Sequence, residues 1–288
     1  MNFNMEELKF TFYGVRGSYP VSDKKFIKYG GNTTSILFET GDDVFIFDAG
    51  TGIINIGNYL KKKYKKLKKI NIFLTHLHSD HIMGFPFFHP FYDNGTQINI
   101  YCFKYDKTKI KKTIFSLFNQ PLSPISKKGI NANLKFIELS NRNVSRVEIN
   151  PYTSIECIKE ENHPKSGVLI YKVIFHEKTL VFATDVETPD GFSGKYYEFI
   201  KNTDIFIHDA QYTSSDYFDK DNPKAGYGHN SVDMALANAE NLNVKKLFLF
   251  HHCPEYSDDK LEKILEYSKK RFKNSFLAQE LKTNILRR

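Results

Sequence analysis

The chain has 288 residues, 41% hydrophobic and 26% charged, with a net charge of +8 and a pI near 9.1. That is enough chain for one large α/β domain with a full core, and the composition excludes a disordered or fibrous protein. Three widely spaced cysteines (Cys102, Cys157, Cys253) argue against a disulfide framework, no run approaches 18 apolar residues, and MNFNMEELKF has no apolar segment behind a basic start, so a cytoplasmic protein with no membrane span is expected. The positive charge favours an anionic partner. Much of it is lysine in the company of Ile and Asn, which genome composition also produces, so charge alone does not assign nucleic acid.

In chain order, residues 8–13 (LKFTFY) alternate as a strand does and end in the punctuated turn GVRGSYP. YGGNTTS (29–35) leads into strands at 36–39 and 44–47, joined by the GDD turn at 41–43 as a hairpin. DAGTG (48–52) follows. Asp48 at a strand tip, with glycines behind it, lets the backbone approach a site closely, and a turn aspartate capping the next helix is an equal reading. Residues 53–69 place Ile53, Ile56, Leu60, Tyr64 and Leu67 three or four apart, which predicts a helix with its lysines (61–69) in water. A solvated face explains those lysines more simply than a nucleic-acid patch.

The chemistry begins where the apolar strand INIFL (70–74) runs into THLHSDHIMG. His76 and His78 are two apart, so in extended backbone they project from one side. Asp80 and His81 fall where Ile82, Met83 and Phe85 signal a helix start, which turns them toward a second point. Such a set suits two ions better than one. Neutral imidazole with carboxylate suits zinc, with manganese and iron as alternatives.

FPFFHPFYDNG (85–95) is aromatic and expected mostly in the core, with Phe88 and Tyr92 as candidate pocket lining. A strand at 97–103, a helix at 107–118 and a two-proline loop at 119–129, a candidate substrate arm, come next. Strands are expected at 134–139, 144–149, 154–159, 168–176 and 179–184, with His176 exposed in the hairpin turn of the last two rather than a ligand. ENHPKSG sets His163 between two strands, with Pro164 keeping the backbone extended. VFATDVE sets Asp185 after an apolar strand, and LFLFHHCPE sets His251 and His252 at the end of another, where alternation lets only one of the two face the site. The strand at 204–212 (DIFIHDAQY) carries Asp209. GYGHNSVDMALANAE places His229 before a helix with Val232, Ala235 and Leu236 on one side, capped by Asn230 or Ser231. Residues 258–282 are expected as a closing helix with a break near Asn274 and Ser275.

HxHxDH, with the later acid and histidines in this order, resembles the motif set of the metallo-β-lactamase-fold hydrolases, from about Phe10 to Asp259. The pieces at Asp209 and His229 resemble the HEA and HST motifs of the tRNA 3′-processing endonuclease branch and its small phosphodiesterase relatives. They depart from them in having Asp for Glu and Asn for Ser or Thr after the histidine. The resemblance implies a single α/β domain over residues 1–288, a four-layer αββα sandwich of two similar halves. It implies His76, His78 and His163 around one divalent ion, Asp80, His81 and His251 around the other, and Asp185 bridging, with Asp48 supporting a ligand histidine from behind. Asp209 would orient His229, which would protonate the leaving oxygen, while Asp80 would hold the attacking hydroxide. Cys253 stands where related chains often carry Asp, and a small buried residue is preferred there to a soft ligand.

The leading expectation is hydrolysis of a small or cyclic phosphodiester by a hydroxide bridging two ions, and the alternative is tRNA 3′-processing endonuclease activity. A thioester or lactone hydrolase and a non-catalytic metal-binding module are further alternatives. A di-iron redox protein would carry an acid where His78 stands. The partner expected is an anionic phosphodiester, with RNA a candidate and no membrane; a homodimer is compatible.

Overall fold

A computed structural model describes residues 6–65, 67–103, 107–120, 123–161, 163 and 167–288, with the backbone alone at 107–109. Lys66 of the lysine run, Pro164 beside His163, and 121–122 of the proline loop lie outside the described residues. The first half runs β1 (Glu7–Gly14), β2 (Ser35–Thr40), β3 (Asp43–Phe47), α1 (Gly52–Lys63), β4 (Lys69–Phe73), α2 (Ser79–Ile82), β5 (Gln97–Phe103), α3 (Lys107–Ser116) and β6 (Asn133–Leu139). The second runs β7 (Ser145–Asn150), β8 (Thr153–Glu160), β9 (Val168–Phe175), β10 (Lys178–Ala183), α4 (Gly194–Ile200), β11 (Ile205–Asp209), α5 (Ser214–Tyr217), α6 (Val232–Asn241), β12 (Leu247–Phe250) and α7 (Asp258–Arg271). Two short strands, β13 (Ser275–Leu277) and β14 (Thr283–Arg287), close the chain.

The strands form two sheets, ordered β14-β1-β2-β3-β4-β5-β6 and β13-β12-β11-β10-β9-β8-β7. Each combines antiparallel hairpins with a parallel block, β3 to β6 in one and β10 to β13 in the other. Parallel strands need both faces covered, and the sequence complies: β4 and β12 are nearly uninterrupted apolar runs. The sheets pack face to face on aromatic rings. Phe47 stacks on Tyr171 at 5.0 Å and on Phe182 at 5.6 Å, and Phe12 meets Phe250 at 5.8 Å. Ile53, Ile56 and Leu60 of α1 and Ile114 of α3 bury against the first sheet. Phe199 of α4, Leu236 of α6 and Leu261 of α7 bury with the outer face of the second. Four layers result, αββα, as expected.

Two helices are shorter than expected. α1 stops at Lys63, where Tyr64 turns extended and its hydroxyl donates to Glu39. A run of like charges at helical spacing weakens any continuation, and Tyr64 and Leu67 still reach the core without it. α7 ends at Arg271 rather than continuing to residue 282. Its expected continuation instead pairs β13 in parallel with β12 and β14 antiparallel to β1, covering edges that both sheets would otherwise expose. Phe88 is fully buried beside Phe91, in the core rather than on a surface; Tyr92 donates its hydroxyl to the Pro86 carbonyl. His176 sits in the β9–β10 turn and stacks on Tyr152. No helix among the described residues is long and apolar enough to cross a membrane.

Candidate metal centre

The chemistry-bearing side chains all leave the same ends of their strands. β3 ends one residue before Asp48, β4 runs into His76 and His78, β10 ends two before Asp185, β11 closes on Asp209, and β12 ends one before His251. In parallel blocks the C-terminal strand ends share one rim, so neighbouring strands deliver their loops to one place. The two sheets are tied there: the Tyr171 hydroxyl donates to the Leu74 carbonyl at 2.7 Å, and the Leu169 amide to the Thr75 carbonyl at 3.0 Å.

Two clusters with ligand atoms mutually within 4.8 Å result, one of His76, His78 and His163, the other of Asp80, His81, Asp185 and His251. Asp185 faces both. Its Oδ1 lies 3.8 Å from His76 Nε2, and its Oδ2 lies 3.3 and 3.4 Å from the Nε2 atoms of His81 and His251. Asp80 Oδ2 stands 3.4 and 3.5 Å from the same two nitrogens and accepts the Ser18 amide at 2.9 Å. In the first cluster His163 Nε2 is 3.3 Å from His78 Nδ1.

Three residues here, Asp48 (φ 58°), Asp185 (φ 56°) and His251 (φ 63°), take the left-handed backbone conformation. For non-glycine residues that costs about 1 kcal/mol each, and Asp and His tolerate it better than most. Each turns the chain sharply off its strand and aims the side chain into the rim. Such strain concentrates where a site requires it.

The donor set fits divalent cations. His76, His81 and His251 each bury an Nε2 with no hydrogen-bond partner, although their other ring nitrogens are held. A buried polar atom left unpaired is costly unless something else completes it. His76 Nδ1 meets the Thr75 hydroxyl at 3.0 Å, His81 Nδ1 meets Asp48 Oδ2 at 2.8 Å, and His251 Nδ1 meets Gln211 Oε1 at 3.0 Å. These contacts fix each ring with Nε2 turned inward, the geometry of a ligand imidazole. Asp48 does not cap α1: its carboxylate accepts the Thr75 amide and hydroxyl at 2.7 and 2.9 Å besides His81.

The electrostatics agree. Burial, with neighbouring histidines adding to it, pushes His76 well below the usual imidazole range and His163 down to about 4, so both stay neutral and ligand-ready. Burial works against the ionised forms of Asp80 and Asp185, but the surrounding histidines outweigh it and hold both well below the usual carboxylate range. His81 is pulled far upward, against its burial, by Asp185, Asp80 and Asp48. Ionised carboxylates buried among imidazoles form a negative well suited to a bound cation.

Beside these clusters stands a third group. His229 Nδ1 lies 2.9 Å from Asp209 Oδ2, and Asp209 also accepts the amides of Asn230 (3.0 Å), Asp185 (3.1 Å) and Gln211 (3.2 Å). Burial lowers His229, but Asp209, Asp185 and Asp80 reverse the effect and raise it to about 9. Ser231, not Asn230, caps α6 by accepting the Met234 amide.

His252 lies off the centre, with Nε2 on the Ala278 carbonyl at 2.9 Å, and Cys253 is a small buried residue. Sequence reasoning missed three supports. His208 holds Asn230 and Asn238 at 3.0 Å. Glu187 accepts the amides of Gly226 and Gly228, at 2.7 and 2.9 Å, in the loop that ends at His229. Gln211 backs His251. A polar residue inside or just after a buried strand was the available signal for His208 and Gln211; Glu187 had none.

The model of the Beta-lactamase superfamily domain matches residues 43–252, a span that contains His76, His163 and His251. A Ribonuclease Z of Picrophilus torridus is 26% identical, over 95% of this chain and 94% of its own. Among solved structures, the metallo-beta-lactamase fold protein YhfI from Bacillus subtilis superposes with a TM-score of 0.66 at 20% identity, covering 98% of this chain and all of its own. A diphosphatase from the PhnP family gives 0.67 at 16%, covering 96% and 97%. With the match covering most of the length and two sheets meeting over a His/Asp rim, the chain belongs to the Beta-lactamase superfamily domain family.

Proposed function

We propose that this protein is a metal-dependent phosphodiester hydrolase whose substrate is a small or cyclic diester. Two divalent cations held by His76, His78 and His163 and by Asp80, His81 and His251, with Asp185 between them, would acidify a water and neutralise charge on the phosphoryl oxygens. Zinc suits this donor set best, with manganese and iron as alternatives.

The observation that carries the proposal is the Asp209–His229 pair beside that centre. Hydrolysis of a thioester expels a thiolate, with a pKa of roughly 8.5, which leaves without help. A phosphodiester expels a far more basic alkoxide, which benefits from a positioned acid. His229 gives Nδ1–H to Asp209 and keeps Nε2 for the substrate, and the Asp209 carboxylate favours the protonated ring that an acid needs. Asp209, held by three backbone amides, fixes the ring and stabilises its charged form.

Support for a small substrate comes from the sequence, whose candidate substrate arm is the short two-proline loop at 119–129, while the Picrophilus torridus Ribonuclease Z aligns over 94% of its own length. RNA 3′-end processing is the second reading, favoured by that relative's name and by the +8 charge. Bis-p-nitrophenyl phosphate, cyclic AMP and precursor tRNA assayed side by side separate the two. With cyclic AMP and precursor tRNA, which expel alkoxides, His229→Ala is expected to lower kcat by about 10²–10⁴ with metal content unchanged, while bis-p-nitrophenyl phosphate, which expels a weakly basic phenolate, should be far less affected. Turnover of cyclic AMP and precursor tRNA equal to that of the parent would remove His229 from the chemistry.

A further inference from the structure

His251 differs from the other inward-facing histidines in what stands behind it. His81 leans on a carboxylate, Asp48, whereas His251 Nδ1 lies 3.0 Å from a neutral amide oxygen, Gln211 Oε1. Gln211 is itself buried, and the orientation of its amide is fixed from the other end: Nε2 donates to Ser18 Oγ and to the Tyr212 hydroxyl, both at 3.2 Å. With both donor hydrogens engaged there, the oxygen must face His251. His251 then carries its proton on Nδ1 and turns the Nε2 lone pair toward Asp80 and Asp185.

A carboxylate is also in reach. Asp209 Oδ2 lies 3.4 Å from His251 Nδ1 while it accepts His229 Nδ1–H at 2.9 Å. Two ring N–H groups therefore converge on one oxygen, and the Gln211 oxygen, nearer to His251, takes one of them. The VRGS turn closes on the same Nδ1 edge of the ring. A Cβ on Gly17 would sit 2.6 Å from the His251 ring, so only glycine lets the turn lie this close. Arg16 anchors that turn, with Nε on the Gly30 carbonyl and one terminal nitrogen on the Cys253 and Tyr256 carbonyls.

We infer that Gln211 is a positioning residue, braced by Ser18 and Tyr212, that holds His251 with Nε2 inward for the cation of the Asp80–His81–His251 cluster and leaves Asp209 to His229. This rests on the two-cation reading of the centre. A carboxylate could replace the amide oxygen as the acceptor, whereas a thioether of the same length could not.

The test is zinc titration of metal-stripped parent, Gln211→Met, Gln211→Glu and Ser18→Ala, with the melting temperature of each metal-free protein as a folding control. In Gln211→Met one of the two zinc equivalents should lose about 10- to 100-fold in affinity while the other is unchanged. Gln211→Glu should stay within a fewfold of the parent, and Ser18→Ala, which loosens the brace alone, should fall between. Two equivalents bound by Gln211→Met with parental affinity would overturn the role of Gln211, as would a loss in Gln211→Glu equal to that in Gln211→Met. If Gln211→Met does not fold, equal zinc affinities in Ser18→Ala and the parent overturn it. A parent that binds fewer than two equivalents would instead strike the two-cation reading.

Discussion

A histidine ligates well only when its second nitrogen is held, and the centre shows three ways of doing so: a carboxylate at His81, a hydroxyl at His76 and an amide at His251. Asp48 is the most constrained of these partners, fully buried, strained in φ and accepting from three donors. Burial alone pushes its carboxyl up, and His81 and Thr75 work against that. Replacing it by Asn keeps the shape but removes the charge behind His81. Asp48→Asn should weaken zinc about 10- to 100-fold at the Asp80–His81–His251 cluster, by competition titration with a chelating dye; unchanged affinity would deny the contact any role. At this scale, residue types and spacing made the histidines and acids legible. Alternation said only that one of the adjacent histidines, 251 or 252, faces the rim; the resemblance pointed to His251, and the structure turns His251 inward. The left-handed turns at Asp48, Asp185 and His251 were not legible, because nothing in a residue's identity announces φ when glycine is not required.

The elements carry a second layer of support. β11 buries His208, whose Nδ1 donates to the Ala183 carbonyl at 2.9 Å and whose Nε2 accepts from Asn230 and, on α6, Asn238. Both bonds at Nε2 need the neutral ring. Burial holds His208 down at about 4, below the ordinary 6.5. A histidine depressed in the fold stabilises fully above its unfolded pKa, and that contribution is lost as pH falls from 6.5 through 4. His208→Gln should therefore destabilise the metal-free protein at pH 7.5, and the penalty should be about 2 kcal/mol smaller at pH 4.5. Urea unfolding of both proteins at the two pH values measures this, and an equal penalty at both would mean that His208 is not held neutral. Element limits were legible where packing and pattern agree, as at β5, whose bounds match the expected strand at 97–103. They failed at α1, where apolar spacing of three or four continued past the helix but a tyrosine contact won, and beyond α7, where backbone pairing replaces the rest of the expected closing helix. Short edge strands such as β13 leave too few residues for a period to show.

Over the whole molecule, the two sheets have to meet before the centre exists. His76, His78, Asp80 and His81 come from the first half, and His163, Asp185 and His251 from the second. Neither half alone holds either cluster. The aromatic interface at Phe47, Tyr171 and Phe182 therefore sets the distance across which Asp185 faces both clusters. This architecture was legible because two runs of strands and helices, each delivering acids and histidines at strand ends, resemble one family; how the last residues close both sheets was not. Anomalous X-ray scattering at the zinc edge, from crystals of protein purified without chelator, tests the two-cation centre most directly. Two peaks roughly 3.5–4 Å apart are expected, one among His76, His78 and His163, the other among Asp80, His81 and His251, with Asp185 against both. A single peak, or density remote from Asp185, would contradict it.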